Sequence, residues 1–448
     1  MIRGETSSQV KLLKEAQMRE NPSLEGDEVH GLYRYRWVVL AAFMLVGALT
    51  QLMWLNYAPI TSETQKLMGA PGLPLSEFKI VLLATMFPLL YIPVSIPAGI
   101  IIDRKGYRYA VLIGAVLTAG FGFLRLFAGN YPLVLIGMIG IAVGQPFVLN
   151  SITKMVSTWF PTEESATATG IATLSLFLGM IVALALTPAL LNGFGKHQLS
   201  SLRSVVLVYN LLAVAGLVAF YLLARKRPPK PPKRTEEELQ TETATIDWGS
   251  FRKIFGLYDF RLLCIIIFVG NGAFVGILQL LEKILKPKGI GTTTAGNIGA
   301  VMVLAGVVGC IVLPALSDKY MRRKPFLVLA ACVALPTLFL IGALKAVAPI
   351  FVTAAFAGFF IFAAFPLVLT LAEETTGHAL TGTATSILLL LGNAGGVVLT
   401  LLMEAIKGGK ETNAGSFWAM FLLVILFVGA LVVALFLKEP KLAGSESV

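Results

Sequence analysis

Charge is scarce in this chain: only 14% of its 448 residues are Asp, Glu, Lys or Arg, against about 25% in soluble domains. A chain this long would need a polar surface to stay in water, and this composition does not supply one. Cysteine and histidine are scarcer still. Cys264, Cys310 and Cys332 all lie inside apolar runs, and no even, loop-borne set exists to form a disulfide framework. His30, His197 and His378 are scattered. No His/Cys spacing resembles a metal site, so neither metal nor cofactor is expected. Three catalytic signatures are also missing: the phosphate-binding loop G-x-x-x-x-G-K-[ST], the His-Glu-x-x-His pattern and the nucleophile elbow. These absences argue against an ATP-driven motor and against hydrolytic chemistry; the chain does not read as an enzyme. Residues 1–35 are polar and lack the apolar core and cleavage site of a signal peptide. They read as a cytoplasmic tail, with a short helix around Leu12 to Arg19.

What the chain has in abundance is apolar length. It is 56% hydrophobic, with a mean hydropathy of +0.80. A helix needs about 20 apolar residues to cross the hydrocarbon core of a bilayer, and about twelve such runs can be read. The first half offers 37–58, 79–101, 108–128, 132–155, 167–190 and 203–224. The second offers 260–283, 294–316, 325–345, 348–372, 382–405 and 417–437. The expectation is an all-α membrane protein of two six-helix bundles, at 36–224 and 260–438, with the lipid bilayer as its solvent. A polar linker over 225–259 and a C-terminal tail over 439–448 complete the chain. The linker opens on Arg227-Pro228-Pro229-Lys230-Pro231-Pro232-Lys233 and turns acidic at Glu236–Glu238.

Net charge is +11, yet nucleic acid is not the expected partner. The Lys and Arg cluster in short segments between apolar runs, where they orient a chain in a membrane. Arg104, Lys105 and Arg108 follow span 2; Lys319, Arg322, Arg323 and Lys324 follow span 8. The positive-inside rule puts these loops, the linker and both termini in the cytoplasm. Lys283, Lys286 and Lys288, on the outer side after span 7, run against the rule.

The two halves echo each other. Thr167-Ala168-Thr169-Gly170-Ile171 opens span 5 and Thr383-Ala384-Thr385-Ser386-Ile387 opens span 11, and each is followed by a glycine, Gly179 or Gly395. The loop after span 2 reads Gly99-Ile100-Ile101-Ile102-Asp103-Arg104-Lys105-Gly106-Tyr107-Arg108. This resembles the G-x-x-x-D-R-x-G-x-R signature of the major facilitator superfamily. Gly99 would let helices pack closely, Asp103 would latch onto a cation or helix N-terminus nearby, and Gly106 suits a tight turn. A degenerate copy at Pro314–Arg323 keeps Asp318 and Arg322. The resemblance implies the twelve-helix, two-bundle facilitator fold, a transporter working by alternating access, and usually a monomer.

A substrate site in such a fold lies near mid-membrane between the halves, so polar and aromatic residues inside spans are the candidates. Span 1 offers Gln51, Trp54, Asn56 and Tyr57; span 4 offers Gln145 and Asn150; span 7 offers Asn271, Phe274 and Gln279; span 11 offers Asn393. Helix–helix hydrogen bonding is an equal claim on any one of these amides. No acid lies near the centre of a span, where a charge costs about 2.5–3.5 kcal/mol and is normally kept for function. Glu282 and Glu404, near outer span ends, are the first suspects should protons be coupled to transport.

Gln51–Tyr57 and the run Gln145-Pro146-Phe147-Val148-Leu149, continued by Ser157-Thr158-Trp159-Phe160 and Glu164, resemble spans 1 and 4 of the feline leukaemia virus subgroup C receptor family. That family carries choline and ethanolamine, and some members have been linked to haem. The resemblance implies that Trp54 and Phe274 wall an organic cation while Gln145 and Asn393 bond its polar end. It also implies that Glu374 acts as a cytoplasmic gate, as Glu164 would in the first half. Phe274 stands where the family prefers Tyr, Asn393 where it prefers Gln, and Asn56 where span 1 has Gln. Facilitated movement of a small amine is the leading expectation. The alternatives are a proton-coupled carrier of an organic anion or drug, and a receptor that binds without transporting.

Overall fold

The computed structural model describes residues 22–69, 74–195, 198–228, 248–320, 322–377, 380–408 and 412–438. The helix expected around Leu12 to Arg19, His197, His378, most of the linker and the C-terminal tail lie outside these residues.

Among the described residues, twelve helices are long and apolar enough to span a bilayer. The first half contributes α1 (Arg34–Met68), α2 (Glu77–Lys105), α3 (Tyr107–Leu126), α4 (Tyr131–Trp159), α5 (Thr167–Gly193) and α6 (Leu199–Leu223). The second contributes α7 (Tyr258–Lys288), α8 (Thr292–Lys319), α9 (Lys324–Ala343), α10 (Val347–Thr376), α11 (Thr383–Lys407) and α12 (Asn413–Phe436). Helices are what lipid demands, because each satisfies its backbone within its own segment. Large apolar side chains such as Leu178, Leu222, Ile311, Ile425 and Phe436 are exposed around the body, as a lipid-facing surface requires.

The spans fall where the apolar runs are, with two corrections. The sequence ends span 1 at 58 because Thr61-Ser62-Glu63-Thr64 is polar. In the structure α1 instead passes through a 3-10 turn at Ala58–Ile60 and resumes as the helix Thr61–Met68. All four of those polar residues are buried. The end of the expected linker also folds. Trp248–Gly256 is a short helix whose Ile254 is buried and whose Phe255 ring meets Phe260 at 5.9 Å.

The repeat is visible in the packing. A Cβ on Gly179 of α5 would sit 2.0 Å from the Ala48 carbonyl oxygen of α1. A Cβ on Gly395 of α11 would sit 2.1 Å from the Phe268 carbonyl oxygen of α7. The same small residue thus brings the same pair of backbones together in each half.

Call the end that carries Arg104, Lys105, Lys319 and Arg322 the basic end, and its opposite the far end. Toward the far end one apolar cluster runs across both halves, joining Trp54, Tyr57 and Leu184 to Phe274, Ile298 and Met403. Toward the basic end the core divides. Phe43, Tyr107, Trp159 and Phe220 form one cluster in the first half; Phe260, Leu327, Leu371 and Ile387 form another in the second. The halves are sealed together at the far end and part toward the basic end.

Candidate substrate cavity and gates

Where the halves part they enclose a cavity of about 260 Å³. Its wall is aromatic. Trp54 of α1 lies 4.4 Å from Phe87 of α2, and Phe87 lies 5.9 Å from Tyr91 one turn on. Phe274 of α7 meets Phe362 of α10 edge-on, and Phe177 of α5 reaches Phe362 at 5.4 Å. The Trp54 indole is held in one orientation because its Nε1–H donates to the Ala84 carbonyl at 2.7 Å. Among the described residues none that lines it is acidic or basic; polarity comes chiefly from Gln51, Tyr91, Asn271 and Asn393. A cation would therefore meet ring faces and amide oxygens, not a fixed anion. Such faces attract cations through the ring quadrupole.

Of the site residues read from the sequence, Gln51, Trp54, Asn271, Phe274 and Asn393 line this cavity. The others are not among its lining residues. Gln145 is fully buried one layer back, donating to the Thr50 carbonyl at 2.8 Å and accepting from the Gln51 amide at 3.5 Å. It orients Gln51, whose Oε1 has no hydrogen-bond partner among the described residues. Asn150 stands behind Tyr91, accepting its hydroxyl at 2.6 Å and donating to Ser95 Oγ at 2.9 Å. Asn56 and Tyr57 turn to the other side of α1 and hold buried Arg125. Asn56 Oδ1 accepts from its guanidinium at 2.7 Å, and the Tyr57 ring lies 4.7 Å beneath it. Gln279 ties the halves, accepting from Thr85 Oγ1 at 3.2 Å. In lipid an amide needs a partner wherever it points, so helix-to-helix bonds absorbed most of these residues.

At the basic end the charges pair within each half. Arg36 of α1 meets Glu164 at 2.8 Å. Arg108 donates to the carbonyls of Ala224 and Tyr221 at the end of α6. In the second half Arg323, not Arg322, is the central group: it bonds Asp318 and pairs with Glu374 at 3.0 Å. Arg322 points outward, because the turn is closed by its backbone N–H bonding the Ser317 carbonyl. Asp103 and Arg104 are exposed, and Asp103 makes no hydrogen bond or ion pair with a described residue. Gly106 takes φ +86, the turn its spacing predicts. Among the described residues nothing outside its own helix backbone lies within 4 Å of where a Cβ on Gly99 would stand, so no close helix contact is seen there.

The far end is built the opposite way, with ionic groups crossing between halves. Glu77, in the first turn of α2, bonds Lys407 of α11 and lies 3.9 Å from Lys283 of α7. Lys283 also bonds Gln65. Glu282 accepts the Ser62 hydroxyl at 2.9 Å and its backbone N–H at 3.2 Å. Glu404 lies buried beside Glu77, Lys283 and Lys407. Glu282 and Glu404 thus belong to the closed far gate and not to the cavity wall. Glu77, Ser62, Gln65 and Lys407 went unread in the sequence. The available signal was opposite charge at far-side span ends, and it explains why Lys283 defies the positive-inside rule: it is an interior partner, not a topogenic charge.

The sequence profile of the Major Facilitator Superfamily matches residues 38–400. The choline/ethanolamine transporter FLVCR1 of Felis catus is 27% identical over 451 residues, covering 98% of this chain and 79% of that protein. The human choline/ethanolamine transporter FLVCR2 is 25% identical over 416 residues, covering 90% of this chain and 77% of that one. An uncharacterised MFS-type transporter of Caenorhabditis elegans is 27% identical over 435 residues, 93% of this chain and 72% of its own length. Among solved structures, a bacterial homologue of the human lysosomal transporter Spinster superposes with TM-score 0.73 at 16% identity, over 89% of this chain and 96% of that one. Matched by that profile along most of its length and folded like a solved transporter of the same architecture, the chain belongs to the major facilitator superfamily and is a multi-pass membrane transporter, not an enzyme.

Proposed function

We propose that this protein is a facilitative carrier of a small organic cation, choline or ethanolamine, working by alternating access between its two halves. The observation that carries the reading is an aromatic cavity wall, Trp54–Phe87–Tyr91 facing Phe274–Phe362, with no ionised group in it. Each cation–π contact contributes about 0.5–2 kcal/mol without burying an anion in lipid. Gln51 Oε1, left without a donor, and Asn393 suit the hydroxyl or ammonium hydrogens of such an amine. The relatives named as choline/ethanolamine transporters support the same substrate class. On this reading the bundles at 36–224 and 260–438 rock about the cavity, joined by the linker 225–259. The basic end and both termini face the cytoplasm of the cell membrane, and one chain suffices.

The test is uptake of labelled choline and ethanolamine into proteoliposomes. Trp54→Ala is expected to weaken uptake at low substrate by about 2- to 30-fold from the lost cation–π contact alone, with Trp54→Phe recovering part of it. Final accumulation is expected to be the same with and without a pH gradient. Failure of both amines to enter through folded protein would sink the reading. The second reading, a proton-coupled symporter or exporter, draws on the burial of Glu282 and Glu404 between the halves. It requires accumulation driven by the gradient and lost in Glu404→Gln.

A further inference from the structure

The cavity does not stop at the ring wall. From Asn271 and Phe274 it runs on toward the basic end inside the second half, among α7, α9, α10 and α12. These four helices pack each against the next, α7 on α12, α12 on α9, α9 on α10 and α10 on α7, and so surround a common interior. Leu327, Ala330 and Ala331 of α9 and Phe427, Ala430 and Ala434 of α12 line this arm. Four of the six are alanine, and small side chains leave room. Phe427 to Ala434 covers about 10 Å of helix axis at 1.5 Å per residue. Gly270 of α7 stands beside Asn271 at the neck, and a Cβ there would meet nothing within 4 Å among the described residues.

The first half has no such arm. Its own third and sixth helices, α3 and α6, supply none of the described lining residues. Close packing shuts the space: a Cβ on Gly114 of α3 would lie 2.5 Å from the Gly144 carbonyl oxygen of α4. One on Gly216 of α6 would lie 2.4 Å from Leu49 Cδ1 of α1. The rings of Phe43, Tyr107 and Phe220 pack together in the same bundle. Two copies of one plan thus differ, one bundle packed through and the other hollow along an apolar interior. A hollow forfeits the dispersion contacts of its lining unless a ligand supplies them.

We propose that this arm is a subsite for a single hydrocarbon chain, and that the transporter takes amines bearing one alkyl tail. The ammonium head sits at Trp54, Phe87 and Tyr91, and the tail lies between α9 and α12. The assignment of the head rests on the amine reading above; the tail adds the substrate class. The arm residues named carry no hydrogen-bonding side chain, so the tail must be hydrocarbon. None of the described lining residues is basic, so a phosphate between head and tail would be buried without a cation. That chemistry selects alkyl amines over phospholipids.

The test is a series of N-alkyl cholines titrated calorimetrically into the full chain in lipid nanodiscs, with empty nanodiscs subtracted. For chains of roughly two to eight carbons, affinity is expected to rise about fourfold per buried methylene and to level off once the chain outruns the arm. Gly270→Leu closes the neck, and Ala331→Phe narrows the arm from α9. Each is expected to cut the ratio of longest-chain to shortest-chain affinity by about tenfold or more. A wild-type affinity that ignores chain length overturns the arm, while choline binding beside it leaves the amine reading standing. A rise that persists in both variants marks partition into lipid and overturns the arm as well. Long chains that bind through the arm where choline does not bind would keep the arm and overturn the small-amine reading; no binding by any member overturns both. Should the variants fail to fold, a diazirine at the chain end decides on wild type. It is expected to label α9 and α12, and labelling confined to the first half overturns the proposal.

Discussion

Glu77→Ala is expected to throw the far end open. Its carboxylate is 5% exposed and is the anion shared by Lys407 and Lys283, both buried. Removing one partner of a buried ion pair costs about 3–5 kcal/mol, because the charge left behind keeps its desolvation penalty and loses its compensation. Here two ammonium groups of the opposite half lose their shared anion, and the Glu404 carboxyl beside them offsets only part of that loss. The protein can relieve that cost by separating the halves at this end and hydrating the lysines. The closed state alone bears the penalty, so the open-to-closed ratio should rise, by up to about 100-fold. Spin labels at Gly129→Cys and Lys345→Cys would record the change as a loss of the short inter-loop distance. Lys407→Ala should act in the same direction but less, since Glu77 keeps Lys283. If Glu77→Ala leaves the distance distribution unchanged, the ionic contacts are ornaments on a gate closed by apolar packing.

Gly179→Ala should cost more than any other single methyl in the first half that the repeat points to. The added Cβ would stand 2.0 Å from the Ala48 carbonyl oxygen, with the Ala48 carbonyl carbon at 2.8 Å. Backbone cannot swing aside as a side chain can, so α1 and α5 must separate by about an ångström or more. Overpacking of this kind costs about 1–3 kcal/mol, and helix association in lipid rests on just such close contact. Gly395→Ala, 2.1 Å from the Phe268 carbonyl oxygen, should fall by a similar amount if the halves are true repeats. Gly170→Ala is the control on the same helix. Its Cβ would meet nothing within 4 Å, and alanine gains up to about 1 kcal/mol of helix propensity over glycine. Thermal unfolding of the purified chain in detergent should order them Gly170→Ala, wild type, then Gly179→Ala and Gly395→Ala together. Equal melting of Gly179→Ala and wild type would mean that the two helices do not approach this closely.

How much of this was legible beforehand differs between fold and site. Twelve apolar runs, the alternation of basic loops and the paired Thr-Ala-Thr segments led to the architecture. Trp54, Gln51, Phe274 and Asn393 were among the side chains singled out, and the structure gathers them around one cavity. Their companions Asn56, Tyr57, Asn150 and Gln279 carried the same sequence signal. They went to Arg125, Tyr91, Ser95 and Thr85 instead. An amide in an apolar span announces that it needs a partner, but which partner depends on the rotation of its helix, and no pattern along one chain states that rotation.

The sequence by itself determined that the chain lives in lipid, that it crosses about twelve times, and that its halves are copies, because the solvation cost of backbone and charge acts residue by residue along the chain. Only the tertiary structure decided which end is closed. Ser62, Glu77, Lys283 and the pair Glu404 and Lys407 come from four separate stretches of the chain, and nothing along it says that they meet. They become a gate because two rigid halves meet there, and ionic and hydrogen-bonding partnership depends on distances in space that helix packing alone sets.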